Sequence, residues 1–251
     1  MDIFDAHFHI IDPRFPLFAN EGFLPDPYRF SDYEASLTSL DINCVGGAIV
    51  SGSFQGYDQS YLIETLKNIP DSFVGVAQVP AVISDMELDY LNEQRVRAVR
   101  FNLFRGMAGQ NFDEMLVLSK RVFENFGWHT EIYMDARNIE DLYPFLSRIP
   151  KLVIDHLGMN QVESDKIRLL VETGTIFKAT GFGRINMDPI PVMKEMLAIN
   201  PGSVIFGTDL PGTRARRPIL RSDIELIESN FTEKESQLIF KETAEKLYLH
   251  H

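Results

Sequence analysis

Short runs of β-branched and aromatic residues alternate with longer amphipathic stretches along the whole chain. Eight runs resemble buried strands and cover residues 3–8, 44–51, 73–79, 96–102, 129–134, 152–157, 175–181 and 203–209. Between them, apolar residues recur about every 3.6 positions, which predicts helices. Strands that alternate with helices pair in parallel through right-handed crossovers. The pattern therefore predicts an α/β fold, a single (β/α)8 TIM barrel domain over residues 1–251.

Residues that commonly cap helices predict where several of these helices begin and end. The predicted starts are at Ser31 or Asp32, Ser84 or Asp85, Pro189 and Thr232. Gly127 and Gly174 are expected to close two helices, because glycine adopts a positive φ at little cost. An extra C-terminal helix over residues 233–248 is expected to pack outside the barrel. The segment 10–30 is too long for a simple connection and is expected to fold over the barrel mouth.

Composition and charge narrow the class of protein. A chain of 251 residues that is 45% hydrophobic suits one α/β barrel and excludes disordered and disulfide-scaffold classes. The net charge of −12 argues against nucleic acid as a partner. Cys44 is the only cysteine, and no run approaches the roughly 18 apolar residues of a membrane span. We therefore expect a cytoplasmic protein without a membrane partner, and a homodimer is an open expectation. The terminal His250 and His251 are not candidate site residues, because such a pair is typical of a tag as well as of a native terminus.

Four polar residues fall at predicted strand ends, where the chemistry of such barrels gathers. His7 and His9 lie two apart at the end of the first strand, so both side chains can share one face. His156 ends the sixth predicted strand and Asp209 the eighth. Three imidazoles and a carboxylate at one rim suit a divalent metal such as Zn²⁺, or a general base beside a polarising pair.

Each of these residues also has a structural interpretation. A lone buried histidine is often a hydrogen-bonded core residue, and an aspartate in the position of Asp209 can cap the segment that follows it. The coincidence of all four at strand ends of one barrel favours a functional site.

The motifs DAHFHIID, VRAVRFN, VIDHLG and FGTDLP together resemble the amidohydrolase superfamily, in its amidohydrolase 2 branch of metal-dependent-hydrolase-like proteins. Within that branch the pattern is most similar to lactonases such as 2-pyrone-4,6-dicarboxylate hydrolase and the sugar lactonases. The resemblance implies that Asp209 is the general base. It also implies that His7, His9 and His156 are the catalytic histidines of the first and sixth strands.

The resemblance also bears on metals. Binuclear members use a carboxylated lysine at the end of the fourth strand, where this chain has Arg100 and Asn102. The histidine position of the fifth strand is Tyr133 here, and His129 lies at the wrong end of that strand. The implied alternatives are one divalent metal, Zn²⁺ or Mn²⁺, or none. The ligands of a single metal would be His7, His9, His156 and Asp209.

Cationic residues near the predicted strand ends point to an anionic small-molecule substrate. They are Arg100, Arg105, Lys178, Arg184, Arg214, Arg216 and Arg217. Arginine clamps carboxylates, although some of these side chains are equally consistent with solvated loop charges. The residues predicted to bind substrate are Ser51, Ser53, Arg100, Arg105, Tyr133, Arg184 and Arg214. Where the pyrone-dicarboxylate enzyme has an arginine this chain has Met159, which argues against the same dicarboxylate as substrate.

These observations predict a hydrolase that opens a lactone of a small anionic or sugar-acid substrate. Asp209 would activate water, and the histidines or one metal would polarise the carbonyl. A metal-dependent decarboxylase of an aromatic or enolic acid, a non-catalytic anion-binding barrel and a sugar-lactone isomerase remain as alternatives.

Overall fold

Eight strands form one parallel sheet in chain order in the computed structural model, which describes residues 1–104 and 111–250. Their bounds are β1 Asp2–Phe8, β2 Asn43–Val50, β3 Phe73–Ala77, β4 Val96–Asn102, β5 His129–Tyr133, β6 Leu152–Ile154, β7 Ile176–Ala179 and β8 Val204–Phe206. The ring closes through backbone bonds just past the first and last strands. The Asp209 N–H donates to the His7 carbonyl at 2.7 Å, and the His9 N–H donates to the Leu210 carbonyl at 2.8 Å. The predicted (β/α)8 barrel is confirmed.

The helices cover the outside of the sheet. They are α1 Phe30–Ser39, α2 Ser60–Lys67, α3 Asp85–Glu93, α4 Phe112–Phe126, α5 Ile139–Leu146, α6 Ser164–Glu172, α7 Pro189–Ile199, α8 Arg221–Asn230, α9 Glu233–Gln237 and α10 Thr243–Leu249. The caps at Ser84 and Thr232 are as predicted, since each hydroxyl accepts the backbone N–H three residues on. Helix α1 begins at Phe30, earlier than predicted, because Asp32 accepts the Arg29 N–H from inside the first turn. Among the described residues, no helix combines the length and apolarity needed to span a bilayer.

The apolar core forms two layers. Inside the barrel, small and β-branched side chains such as Ala6, Val50 and Val76 pack together. A larger layer fills the space between strands and helices and includes Trp128 and Phe206, which are fully buried. Polar side chains take the remaining interior positions, at the carboxyl end of the strands and around Lys178 and Glu131 in the middle of the barrel.

The C-terminal helix corrects one expectation. Helices α9 and α10 are joined by a π-helical turn over Leu238–Glu242, and α10 packs against the interior cluster rather than only outside the barrel. Tyr248 is fully buried, stacks on Phe4 and donates its hydroxyl to Glu131 inside the ring. The helix therefore closes the amino end of the barrel.

Several strands end earlier than predicted. The sixth ends at Ile154 instead of residue 157, and the eighth ends at Phe206 instead of residue 209. The chain stops pairing with the neighbouring strands at these points. His156 and Asp209 adopt positive φ values of 51° and 58°, which are incompatible with a β-strand. The predicted polar residues therefore lie on tight turns just beyond the strands.

Candidate active site

A bulge in β1 turns His7 and His9 into the barrel. Asp5 pairs with Gly47 of β2 whereas Phe8 pairs with Ile49, so three steps on one strand oppose two on the other. Ala6 faces the interior, and the extra residue allows His7 and then His9 to face it as well. Phe8 points outward, where it stacks on Tyr33 with ring centroids 3.9 Å apart.

His156, which follows β6, and Asp209, which follows β8, the strand adjacent to β1, reach the same place. The ring centroid of His7 lies 5.0 Å from that of His9 and 4.9 Å from that of His156. Asp209 Oδ1 lies 3.8 Å from His7 Nε2 and 3.5 Å from His9 Nε2. All four side chains are buried. The structure thus brings together the four residues that the sequence singles out.

Arg184 neutralises Asp209 from one side. Its Nε and Nη2 atoms both approach Asp209 Oδ2, at 2.8 and 2.6 Å. Burial alone would raise the pKa of Asp209, but the Arg184 guanidinium and the surrounding histidines together outweigh burial and hold that pKa well below its usual range. Asp209 is therefore ionised at neutral pH, and its other oxygen, Oδ1, has no hydrogen-bond partner among the described residues.

Two further ion pairs lie deeper in the barrel. Arg100 Nε contacts Asp155 Oδ2 at 2.8 Å, and Lys178 Nζ contacts Glu131 Oε2 at 2.5 Å. Lys178 Nζ also lies 3.6 Å from Asp155 Oδ1. Burial would raise the pKa of Asp155, but Arg100 and Lys178 hold it well below its usual range. Each of these buried carboxylates is thus matched by a buried cation.

His7 and His156 are held neutral. Burial, reinforced by the nearby Lys178 charge, lowers the pKa of His7 to about 3. Burial and Arg184 likewise hold the pKa of His156 well below its usual range. His9 Nδ1 lies 2.7 Å from the Val50 carbonyl, so this nitrogen carries a proton and donates it, and Nε2 faces Asp209.

Asp5 fixes the turn that carries Asp209. It accepts the Thr208 N–H at 2.8 Å and the Thr208 hydroxyl at 2.6 Å, the His7 N–H at 3.1 Å and the Tyr33 hydroxyl at 3.0 Å. Burial raises the pKa of Asp5 to about 6, although these hydrogen bonds oppose the shift. One carboxylate thereby ties the β1 bulge to the loop after β8.

The donor set is suited to one divalent ion. Ligand atoms of His7, His9 and Asp209 all lie within 4.8 Å of one another, as do those of His7, Asp155 and His156. Imidazole nitrogen and carboxylate oxygen are the donors that Zn²⁺ and Mn²⁺ take. Asp209 Oδ1 and His7 Nε2 are both buried without a hydrogen-bond partner, as expected of ligand atoms. The residues present therefore fit an ion in position and type, provided that His7 Nε2 carries no proton.

A cleft opens above this cluster. Its inner part, about 30 Å³, is lined by His9, Ser53, Arg100, Tyr133, His156, Arg184 and Arg214 among others. It adjoins an outer part of about 230 Å³ that shares Tyr133, Arg184 and Arg214 and adds Met159, Asn186 and Arg216. The inner part has room for a water and the outer part for the body of a small molecule. Arg214 also contacts Asn20 and the ring of Phe23, so the segment 10–30 reaches the rim of the cleft.

Other predicted residues lie elsewhere. The Ser51 hydroxyl faces Gln59 and Tyr61 instead of the cleft, and only the Ser51 carbonyl reaches Arg100. Arg217 pairs with Asp223, which anchors it away from the site. Arg105 lies outside the described residues.

Asp155 and Glu131, two buried charges in or beneath the site, were not predicted as site residues, and Lys178 was predicted only as one of the cations near the mouth. Asp155 follows directly on the apolar run LVI, and Lys178 is the one charge within IFKA. Lys178 lies in the middle of β7 and points into the barrel, whereas the sequence suggested a strand end. A single charge in a run that otherwise requires burial was the available signal.

The sequence matches a known protein family over almost its whole length, and it is similar to two hydrolases. The family model described as Amidohydrolase matches residues 4–249. The chain is 26% identical over 237 residues to 2-pyrone-4,6-dicarboxylate hydrolase of Comamonas testosteroni, an alignment that covers 82% of this chain and 76% of the relative. It is 24% identical over 228 residues to 4-sulfomuconolactone hydrolase of Hydrogenophaga intermedia, covering 82% and 74%.

Solved structures share the fold. A probable 2-pyrone-4,6-dicarboxylic acid hydrolase from Acinetobacter baumannii superposes with a TM-score of 0.82 at 22% identity, covering 99% of both chains. An Agrobacterium tumefaciens protein superposes with a TM-score of 0.86 at 19% identity, covering 98% of this chain and 95% of that one. The family model spans nearly the whole chain. The chain therefore belongs to the amidohydrolase family.

Proposed function

We propose that the protein hydrolyses the lactone ring of a small anionic substrate. The observation that carries the proposal is the single free oxygen of Asp209, which faces His7 and His9 at the base of a cleft lined by arginines. The two curated relatives are hydrolases of cyclic esters that bear carboxylate or sulfonate groups. These names support lactone opening here as the reaction class.

In this proposal Asp209 Oδ1 takes a proton from a water in the inner cleft. Arg184 occupies the other oxygen, so the carboxylate is oriented as well as ionised. The histidines at its edge can donate to, or accept from, the oxygen atoms of the opening ester. A divalent ion held by His7, His9 and Asp209 would supply Lewis-acid polarisation of the carbonyl and a more acidic water.

The arginines that line the cleft favour an anionic substrate. Arg100 and Arg184 are already paired with Asp155 and Asp209, so they orient a bound anion without presenting a full positive charge to it. The rim adds Arg214 and Arg216, and Arg216 donates only to carbonyl groups among the described residues. A ring that bears a carboxylate or sulfonate on its outer edge would meet these rim cations. Met159 lines the outer cleft and provides an apolar contact there.

A panel of lactones tests the proposal. Hydrolysis releases a proton, so a pH indicator reports turnover, and NMR of the product identifies ring opening. We expect anionic lactones to be hydrolysed with higher kcat/KM than neutral sugar lactones. No turnover above the buffer rate across the panel would refute the proposal, and an isomer in place of the hydroxy acid would identify an isomerase.

The metal-binding potential of His7, His9 and Asp209 supports a second candidate, a metal-dependent decarboxylase. Elemental analysis of the purified protein, followed by assays with and without a chelator, separates the two. Decarboxylation that disappears on chelation would favour the second candidate. Lactone turnover that survives chelation would favour the first.

A further inference from the structure

A chain of buried polar side chains connects the C-terminal helix to the active site. The Tyr248 hydroxyl donates to Glu131 Oε1 at 2.6 Å, and Lys178 Nζ donates to Glu131 Oε2 at 2.5 Å. Lys178 Nζ then lies 3.3 Å from His7 Nδ1. All four side chains are fully buried, and lactone hydrolysis as described above makes no use of Lys178.

The contact between Lys178 and His7 constrains the position of a proton. A lysine ammonium only donates, so the nitrogen it contacts must accept. A neutral imidazole that accepts at Nδ1 carries its proton on Nε2. That places the N–H of His7 toward Asp209 and the inner cleft.

Asp155 offers the opposite arrangement. Its Oδ1 atom is also 3.3 Å from His7 Nδ1, and it would favour a proton on that nitrogen. Asp155 Oδ1 nevertheless makes no hydrogen bond in the described residues, whereas Lys178 does bond to His7 Nδ1. Lys178 and Asp155 therefore flank His7 Nδ1 and favour opposite tautomers of His7. The hydrogen bond from Lys178 favours the tautomer in which Nδ1 carries no proton.

We propose that Lys178 is a positioning residue that holds His7 in the tautomer with its proton on Nε2. His7 then presents a hydrogen-bond donor to the opening ester, a role that rests on the proposed function. In that tautomer His7 Nε2 has no lone pair for a metal. Lys178 thus sets the affinity of the His7, His9 and Asp209 group for a divalent ion, and Tyr248 and Glu131 hold Lys178 in place.

NMR of protein labelled with ¹⁵N-histidine tests the tautomer directly. In the full chain at neutral pH we expect His7 to show a protonated Nε2 and an unprotonated Nδ1. A proton on Nδ1 in the unmodified protein would overturn the proposal without any variant. In the double variant Lys178→Met/Glu131→Gln, which removes the ion pair without leaving a lone charge, the proton should move to Nδ1 beside Asp155. An unchanged tautomer in that variant would also overturn it.

Calorimetric titration with Zn²⁺ gives a readout that a merely structural role would not move. Freeing the His7 lone pair and removing a nearby cation should tighten Zn²⁺ binding roughly tenfold or more in the double variant, within the range known for groups that contact metal ligands. Lys151→Met is the matched control, because Lys151 precedes β6 at the far end of the barrel and should leave affinity unchanged. Equal Zn²⁺ affinity in the double variant and the unmodified protein would count against the proposal.

The same experiments separate this proposal from lactone hydrolysis. The tautomer and the Zn²⁺ affinity are measured without substrate, so they hold or fail whether or not the lactone panel gives turnover. If the protein hydrolyses lactones, the double variant should lower kcat with little change in KM, since Lys178 lines neither part of the cleft.

Discussion

Arg184 binds Asp209 through one carboxylate oxygen only. Both of its contacting nitrogens approach Oδ2, and Oδ1 is left facing the two histidines of β1. The same contact that helps to keep the carboxylate ionised therefore fixes which lone pairs face the histidines. An ionised, oriented carboxylate with one free oxygen is what a general base in a buried site requires.

Replacing Asp209 with asparagine should abolish most of the activity without unfolding the barrel. Asparagine tolerates the positive φ of 58° found at this position and keeps an acceptor for Arg184. It cannot take a proton from water, so kcat for lactone opening should fall by roughly 10²- to 10⁴-fold. Steady-state kinetics and thermal unfolding monitored by circular dichroism check the two parts. Turnover close to that of the unmodified protein would show that Asp209 is not the base.

Removing Arg184 should shift the pH dependence of activity. Arg184 holds the pKa of Asp209 low, so activity should persist into the acid range while Asp209 stays ionised. In Arg184→Met this support is lost and the pKa of Asp209 rises. The acid limb of kcat/KM should therefore move to higher pH.

Arg216→Met is the matched control for that shift, because Arg216 lines the outer cleft and makes no ion pair with Asp209. We expect it to raise KM for an anionic lactone while the acid limb keeps its position. An acid limb that moves equally in both variants would mean that Arg184 acts only through the overall charge of the cleft.

Arg100 should affect both stability and substrate binding, and a second substitution separates the two. Arg100→Met leaves the buried Asp155 without its 2.8 Å partner, which should cost roughly 3–5 kcal/mol of unfolding free energy. Adding Asp155→Asn removes the stranded charge and should restore part of that loss, as measured by urea denaturation. KM should stay raised in both proteins because the guanidinium no longer lines the cleft. A KM that recovers in the double variant would argue against contact between Arg100 and substrate.

Much of this architecture follows from the sequence. The alternation of apolar runs and amphipathic stretches predicts the barrel, and residues at strand ends must meet at one rim of it. The spacing of His7 and His9 and the positions of His156 and Asp209 therefore locate the cluster. The exact turns do not follow, because aspartate and histidine adopt a positive φ more often than most residues but still in a small minority of cases, so the residue type alone does not locate these turns.

The β1 bulge and the interior ion pairs could not be predicted in the same way. Strict alternation along IFDAHFH would place Ala6 and His7 on opposite faces, and only the pairing with β2 reveals the extra residue. Lys178 and Glu131 are far apart in the chain, so their 2.5 Å contact depends on the stagger of β5 and β7 around the ring. Ser51 is on the expected strand, but its neighbours Gln59 and Tyr61 determine where its hydroxyl points.

Asp5 should give the protein an unusual dependence of stability on pH. Burial raises the pKa of Asp5 from 3.8 to about 6, so the folded state binds a proton more tightly than the unfolded chain. This contribution is fully present below about pH 4 and is lost as the pH rises through about 6, a change of roughly 3 kcal/mol.

The variant Asp5→Asn cannot titrate, although its amide also disturbs the bonds to Thr208 at every pH. The difference in unfolding free energy between the unmodified protein and the variant should therefore shrink as the pH rises from about 4 to 7, while contributions from other acids cancel. Urea denaturation of both proteins across that range measures it. A difference that stays constant would show that folding leaves the pKa of Asp5 unchanged, and one that grows with pH would show that the carboxylate is stabilised in the folded protein; either result would contradict the prediction.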